Sequence, residues 1–494
     1  MNVPSTAPEP IARTRTVALW AIVATQTAIL CMPARWWVGA GLFLVGGVVL
    51  FGLLFSVFGG RGEVVLVGWI LIFPLGYYYL SFPQEHSLIT LDRVFVGILL
   101  AAACFADHRS INHIPRALRR SAFCWALFLM FAALAIPRAK TPMSSLRLWL
   151  EAFVFPALVA WYILRHVDVR RCLPAIHAAT CLMTIYVAAL GIGEVVLQRD
   201  LLPLPESTVI VAGDYAGDYQ NPATEILVRP NGPFSTVNSF AMIGMVSLFF
   251  LLFLKNASAG PMPAWQRLLH SLGIAASLAE TLMPLFKSVF LSLIVVLLVD
   301  AYYHHGKRRL LRATALVGFG VAFLLIRIAL PVVFEERADP LTFYARIAQE
   351  SQTWALFLDH PINGAGLGNF HDAVQNSKYA TYYREGEALD YPHNNLGAVL
   401  AETGLTGFLP FVASQLLLAY AFWKLCEISA NDLKLVWKVF VFLFLGYWIN
   451  GLALTTAHYG DLNLWYMFVL AILYKFGMTS PTFSGDRIPR SARQ

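Results

Sequence analysis

The sequence predicts an all-α, polytopic integral membrane protein. Of its 494 residues, 58% are hydrophobic and only 13% are charged, whereas soluble domains carry about 25% charged residues. The mean hydropathy is +0.63, and the 35 Phe and 13 Trp lie mostly in long apolar runs. One or two soluble cores cannot bury so much apolar surface, so lipid must be the solvent for most of the chain. These features exclude disordered scaffolds, collagen-like chains and free cytosolic enzymes.

The apolar runs predict about 14 membrane helices, within a range of about 12 to 14, because each run can cross a hydrocarbon layer of about 30 Å. The first run has no cleavable signal pattern and is followed by Pro33 and Arg35, so we expect it to be retained as a span. The runs cover residues 16–33, 36–58, 63–82, 89–106, 121–136, 147–165, 173–195, 235–254, 268–285, 288–303, 311–333, 394–423, 435–455 and 462–477.

Charge placement predicts the topology of these helices. Arginines and lysines cluster near the N-terminus, in alternate short loops (109–120, 165–171 and 307–312) and in the C-terminal tail. Positive residues favour the cytoplasmic side, so we expect both termini to be cytoplasmic. The two long loops then lie together on the opposite face.

This topology divides the chain into five parts. They are N-terminal membrane helices over 1–234 with a first extracytoplasmic loop at about 196–234, central membrane helices over 235–333, a large, helical periplasmic loop over 334–393, C-terminal membrane helices over 394–477, and a cytoplasmic tail over 478–494. Long loops between closely connected spans are more often functional than idle.

The end of the second loop contains a candidate catalytic histidine. Asp390 and Pro392 precede His393 and Asn394, which lead into an apolar run. Pro392 cannot continue a helix and Asn394 is a good N-cap, so we expect His393 at the mouth of a membrane helix. The positive helix end disfavours imidazolium, leaving a neutral ring that can accept a proton from a hydroxyl. The alternative is a histidine that only caps the helix or lies in the interfacial belt.

Two arginines can approach the same membrane surface. Arg229 stands in a rigid Arg-Pro-Asn-Gly-Pro segment before the eighth run, and Arg346 stands in a predicted helix of the large loop. Two guanidiniums with fork geometry suit a diphosphate group. The alternative for each arginine is a surface ion pair.

Other conspicuous residues favour structural readings. Gly364, Gly366 and Gly368 alternate with small residues, but no Lys-Ser or Lys-Thr follows, so we expect a turn packed against the membrane. The six cysteines form no CxxC pair, so we expect neither a disulfide framework nor a zinc site. Lys287 is at membrane depth but near a predicted span end, where snorkelling suffices.

The order and spacing of these motifs resemble the O-antigen ligase and O-antigen polymerase superfamily, most strongly over residues 225–425. The residues that carry the resemblance are His393-Asn394 followed after nine residues by Gly404-Leu405-Thr406-Gly407, the preceding Arg346, Trp354, His360-Pro361 and Gly364 to Phe370, and Gly232-Pro233-Phe234 with Asn238.

The resemblance implies a bacterial inner-membrane glycosyltransferase with a GT-C-like fold, no metal or other cofactor, and no nucleic-acid partner. Its donor would be a polyprenyl-diphosphate-linked glycan, and its acceptor a glycan or lipid A core. His393 would activate the acceptor hydroxyl, and Arg229 and Arg346 would hold the diphosphate in an inverting displacement. Secondary site candidates are Lys287, Asn394, Asp390 and Glu402. Lys287-Ser288 stands where many members have a Ser-Arg pair, and Glu402 lies nine residues into the helix.

Alternative functions remain open at this point. Ligation of a glycan to an acceptor and polymerisation of repeat units share these motifs. A transporter or flippase for a lipid-linked saccharide is the competing class, since many spans and membrane charges would suit it. Against transport, the sequence shows no obvious inverted repeat, and its polar chemistry is concentrated in the outer loops.

Overall fold

The computed structural model describes residues 62–75, 91–105, 114–198, 201–202, 230–234, 236–257, 262–302, 340–375, 392–427 and 431–479. All regular structure in these segments is helical, which confirms the predicted all-α class there. Every predicted apolar run that falls on described residues overlaps a helix. The runs at 16–33, 36–58 and 311–333 lie outside the described residues.

Fourteen α-helices are described, and we number them in chain order. They are α1 Gly62–Ile72, α2 Leu91–Phe105, α3 Arg116–Ala135, α4 Pro142–Leu148, α5 Phe155–His166, α6 Val169–Leu197, α7 Val237–Ala257, α8 Ala264–Leu282, α9 Lys287–Tyr302, α10 Pro340–Asp359, α11 Phe370–Gln375, α12 Asn395–Cys426, α13 Asn431–Gly451 and α14 Gly460–Met478. Short 3-10 turns cover Phe73–Leu75, Ile136–Arg138 and Thr456–His458, and a π-helical turn, Trp149–Val154, joins α4 to α5.

Six helical stretches among the described residues are long and apolar enough to cross a membrane. They are Arg116–Arg138, Pro142–His166, Val169–Leu197, Val237–Ala257, Asn395–Cys426 and Leu433–Gly451. The chain is therefore a multi-pass membrane protein.

Helices α7 and α14 form the centre of the bundle. Nearly every side chain of both helices is buried, which is the pattern of a helix apolar on all sides and surrounded by others. Trp465 of α14 lies among aromatic rings, stacking on Phe73 and Phe468 with centroid distances of 5.6 and 5.1 Å. Helices α6, α8 and α13 pack around this pair.

Charged residues near α2 and the π-helical turn are paired with one another. Arg93 Nη2 lies 2.7 Å from Glu151 Oε1, and Arg147 Nε lies 3.3 Å from Glu151 Oε2. Asp92 accepts a hydrogen bond of 3.1 Å from the indole of Trp69. These pairings satisfy groups that would be costly alone in lipid, so they give these residues a structural role.

Candidate functional site

The start of α12 carries the candidate histidine. Asn394 is the N-cap, and its side-chain oxygen accepts from the backbone N–H of Gly397. This confirms the predicted cap. His393 precedes the cap and is half-buried. The carbonyl of Pro392 accepts a 2.5 Å hydrogen bond from Thr455 Oγ1, which fixes the chain entering the helix.

Helix α10 of the large loop lies against this helix start. The side-chain amide of Asn394 donates to Glu350 Oε1 on α10. A Cβ atom added at Gly397 would lie 2.8 Å from Asn394 Nδ2 and 2.9 Å from Thr353 Cγ2, so a side chain there would crowd the contact between α10 and α12. Arg346 lies on α10 one helical turn before Glu350. The structure thus brings the backbone of this turn close to the start of α12.

Asn395 ties the same helix start to the turn before α14. It is fully buried, and its amide donates a 2.9 Å hydrogen bond to Thr456 Oγ1. Its oxygen accepts from the backbone N–H of Ala457 at 2.8 Å. A buried amide whose oxygen and nitrogen are both hydrogen-bonded is held in one position, so the backbone that leads from His393 into α12 is fixed.

Glu402 faces a histidine that our sequence analysis did not identify. Its Oε2 atom lies 3.2 Å from His458 Nε2, and both side chains are almost fully buried. His458 stands in the polar break between α13 and α14, next to the edge of the Phe153 ring. The sequence signal that could have identified His458 is its position in a short polar break between two apolar runs.

The glycine cluster packs on a break in α12. Gly404 has φ +62° and ψ −168°, which interrupts the helix and frees backbone groups. The N–H groups of Ala365 and Gly366 donate to the carbonyls of Ala401 and Glu402 at 2.9 and 3.0 Å. In return, the N–H of Leu405 donates to the carbonyl of Pro361 at 2.9 Å. The cluster is a turn, as predicted, and it packs against α12, where it supplies the backbone partners that lipid cannot.

A second short loop lies on the other side of this cluster. Ser145 of α4 donates a 2.6 Å hydrogen bond to the carbonyl of Leu367, and the backbone N–H of Lys140 donates to Asn369 Oδ1 at 3.0 Å. A Cβ atom at Gly366, where φ is +112°, would lie 2.8 Å from the backbone N of Ala139. The glycine cluster is therefore held between the α3–α4 connection and α12.

A buried carboxylate holds the segment before α7. Glu194 Oε2 accepts hydrogen bonds from the backbone N–H groups of Asn231 and Gly232, at 3.2 and 2.8 Å. Gly232 has φ +51°, and its position against the Phe240 ring leaves no room for a side chain. This anchor fixes the backbone directly after Arg229.

The beginning of α7 joins the same end of the bundle. Asn238 Oδ1 accepts a 3.2 Å hydrogen bond from Asn450 at the end of α13. Ser239 donates to Asp461 at the start of α14 at 2.9 Å. The starts of α7, α12 and α14 and the ends of α6 and α13 thus share one face, joined by polar contacts.

The remaining predicted site residues are less fully placed. Lys287 begins α9 and is exposed. Arg229 and Asp390 lie outside the described residues, as does the side chain of Arg346.

The described residues form a multi-pass helical bundle in which polar side-chain contacts join several helix termini at one end. Residues 235–412 match the family model Wzy_C, described as O-antigen ligase. The chain is similar to the O-antigen ligase family over this segment, which lies within the 225–425 region of predicted resemblance. Comparison with curated proteins gives no match. This similarity indicates a membrane glycosyltransferase of the O-antigen ligase or polymerase type that acts on lipid-linked glycans.

Proposed function

We propose that the protein moves a polyprenyl-diphosphate-linked oligo- or polysaccharide onto an acceptor hydroxyl at the periplasmic face of the bacterial inner membrane. The observation that carries the proposal is the contact between Asn394 and Glu350. It joins the helix start bearing His393 to the helix bearing Arg346, which supports a joint role for this proton acceptor and this cation.

In this reaction His393 accepts the proton of the acceptor hydroxyl as its oxygen attacks the anomeric carbon of the donor. The bond between that carbon and the diphosphate oxygen breaks, and its electron pair leaves with the diphosphate. General-base catalysis of this kind contributes about 100- to 10,000-fold to a rate. Attack opposite the leaving group inverts the anomeric centre.

Arg229 and Arg346 supply the cations for the leaving group. Arg346 stands four positions before Glu350 on α10, and Glu350 contacts the N-cap of α12, which supports this role. The carboxylate of Glu194 holds the backbone directly after Arg229. Fork-shaped guanidiniums bind diphosphate oxygens in pairs and stabilise the charge that develops on them.

The other site candidates have supporting parts in this proposal. Asn394 positions His393 by capping α12, and Glu402, two residues before the break in α12, lies against His458. Lys287 and Asp390 are candidates for outer contacts with the glycan. The proposed reaction uses no metal or cofactor, and it takes place on a GT-C-like bundle of about 14 spans with both termini in the cytoplasm.

The experiment is incubation of the purified protein in liposomes with a labelled polyprenyl-diphosphate oligosaccharide, with and without a lipid A-core acceptor. Ligation transfers the label to the acceptor only when the acceptor is present. Longer chains made from the donor alone would show a polymerase instead. A label that stays on the polyprenyl carrier and only changes leaflet would show a transporter and overturn the proposal.

A further inference from the structure

Three metal-binding side chains meet inside the bundle, away from the site described above. His177 and Cys181 lie on α6 and His270 lies on α8, and each is at least nine-tenths buried. One ligand atom from each residue lies within 4.8 Å of the other two. His177 Nε2 and His270 Nδ1 are 3.0 Å apart.

The two helices are shaped to bring these groups together. His177 and Cys181 are four residues apart and so share one face of α6. Opposite them on α8, Gly273 allows close approach, since a Cβ atom there would lie 3.1 Å from Cys181 Sγ. The Thr184 hydroxyl donates to the carbonyl of Cys181 at 3.0 Å and also lies 3.4 Å from the carbonyl of Gly273, so it contacts both helices at their crossing.

The cluster is remote from the proposed active site. Glu194, which anchors the segment after Arg229, lies 13 residues beyond Cys181 on α6, or about 20 Å along the helix axis. His177 lies in the N-terminal third of α6, and His270 lies in the N-terminal half of α8. On the predicted topology, these ends face the cytoplasm.

The donor set selects a class of ligand. Two imidazoles and a thiol suit zinc and other soft or borderline transition metals, whereas magnesium and calcium prefer oxygen ligands. Two nitrogens bound to one tetrahedral zinc are about 3.3 Å apart, so the 3.0 Å separation needs only a small opening. A hydrogen bond between two neutral imidazoles explains that contact, but it does not involve the Cys181 thiol, which lies within 4.8 Å of both ligand nitrogens.

We propose that His177, Cys181 and His270 form a binding site for one transition-metal ion, with Zn²⁺ as the ion to test, which clasps α6 to α8. The proton between the two rings moves to an outer ring nitrogen, so both facing nitrogens become ligands. The Cys181 thiol releases one proton and binds as thiolate. A search for cysteine pairs does not reveal the site, because two of its ligands are histidines and His270 is 93 residues from His177 in the chain.

The test uses the purified full chain, stripped with a chelator and titrated with Co²⁺ and then Zn²⁺. We expect one equivalent of Co²⁺, a thiolate-to-cobalt charge-transfer band, displacement by Zn²⁺ and a higher melting temperature with Zn²⁺. Loss of a ligand should weaken binding by more than about 100-fold, since even supporting partners are worth about 10- to 100-fold. We expect this loss in Cys181→Ser and in His270→Gln.

The matched control is Cys172→Ser, which changes another buried cysteine of the same helix and should leave the titration unchanged. Monodisperse elution of every variant establishes folding. The proposal is overturned if the wild-type protein gives no charge-transfer band, or if Cys181→Ser and His270→Gln bind Co²⁺ as the wild-type protein does.

Discussion

Glu402 on α12 and His458 before α14 face each other at 3.2 Å, at a depth where neither side chain meets solvent. Glu402 is also the residue whose carbonyl accepts from Gly366 across the break in α12. One residue thus joins the membrane helix, the large loop and the last two helices. The pair connects α12 to the segment between α13 and α14.

Removing this carboxylate should weaken the fold. Leaving a buried polar group without its partner costs about 1–3 kcal/mol, so we expect Glu402→Ala to lower the free energy of unfolding by about that amount. Glu402→Gln keeps an acceptor oxygen and the side-chain volume, so its loss should be much smaller. Thermal melting in detergent, followed by tryptophan fluorescence, measures both. Equal melting temperatures for the wild-type protein and Glu402→Ala would show that this pair does not stabilise the fold.

The glycine cluster should not tolerate side chains. A Cβ atom at Gly364, where φ is +68°, would lie 2.2 Å from the Glu402 carbonyl carbon, and one at Gly404 would lie 2.3 Å from the Ile362 carbonyl oxygen. We expect Gly364→Ala and Gly404→Ala to reduce the yield of folded protein severely. Gly97→Ala is the control, because nothing lies within 4 Å of its added Cβ. Size-exclusion profiles after purification measure the yield of folded protein. Normal yields of both cluster variants would refute this packing.

Some contacts around the candidate site could be predicted from the sequence, and others could not. The cap at Asn394 and the turn at the glycine cluster were predictable, because both depend on neighbouring residues. The contacts of Glu402 with His458 and of Glu194 with Gly232 were not, because they join residues 38 or more positions apart. Hydrophobic patterning finds membrane helices but says little about which polar side chains meet between them.

The anchor at Glu194 should affect donor binding more than folding of the spans. Glu194→Ala removes the acceptor of two backbone hydrogen bonds and releases the segment that follows Arg229. Hydrogen bonds to charged groups contribute about 1.5–3 kcal/mol, so we expect KM for the lipid-linked donor to rise about tenfold or more. Glu194→Gln retains an acceptor oxygen, so its KM should lie between those of the wild-type protein and Glu194→Ala. Unchanged KM in Glu194→Ala would separate this anchor from the donor site.

The contact between Asn394 and Glu350 can be separated from helix capping. Asn394→Ser keeps a capping oxygen but loses the amide that donates to Glu350, whereas Asn394→Ala loses both. We expect Asn394→Ala to cost about 1 kcal/mol in stability, and both variants to lower kcat because α10 loses its hold on the helix start. Transfer rates and melting temperatures measured on the same preparations distinguish the two effects. Wild-type kcat in Asn394→Ser would show that this contact does not position the site.

The most direct test of the proposed mechanism is the single-turnover transfer rate of His393→Ala with saturating lipid-linked donor. We predict a fall of about 100- to 10,000-fold, with donor binding and melting temperature retained. His166→Ala, at the far end of α5, is the matched control and should transfer glycan at the wild-type rate. A His393→Ala rate within a few-fold of wild type would contradict the assignment of His393 as the base.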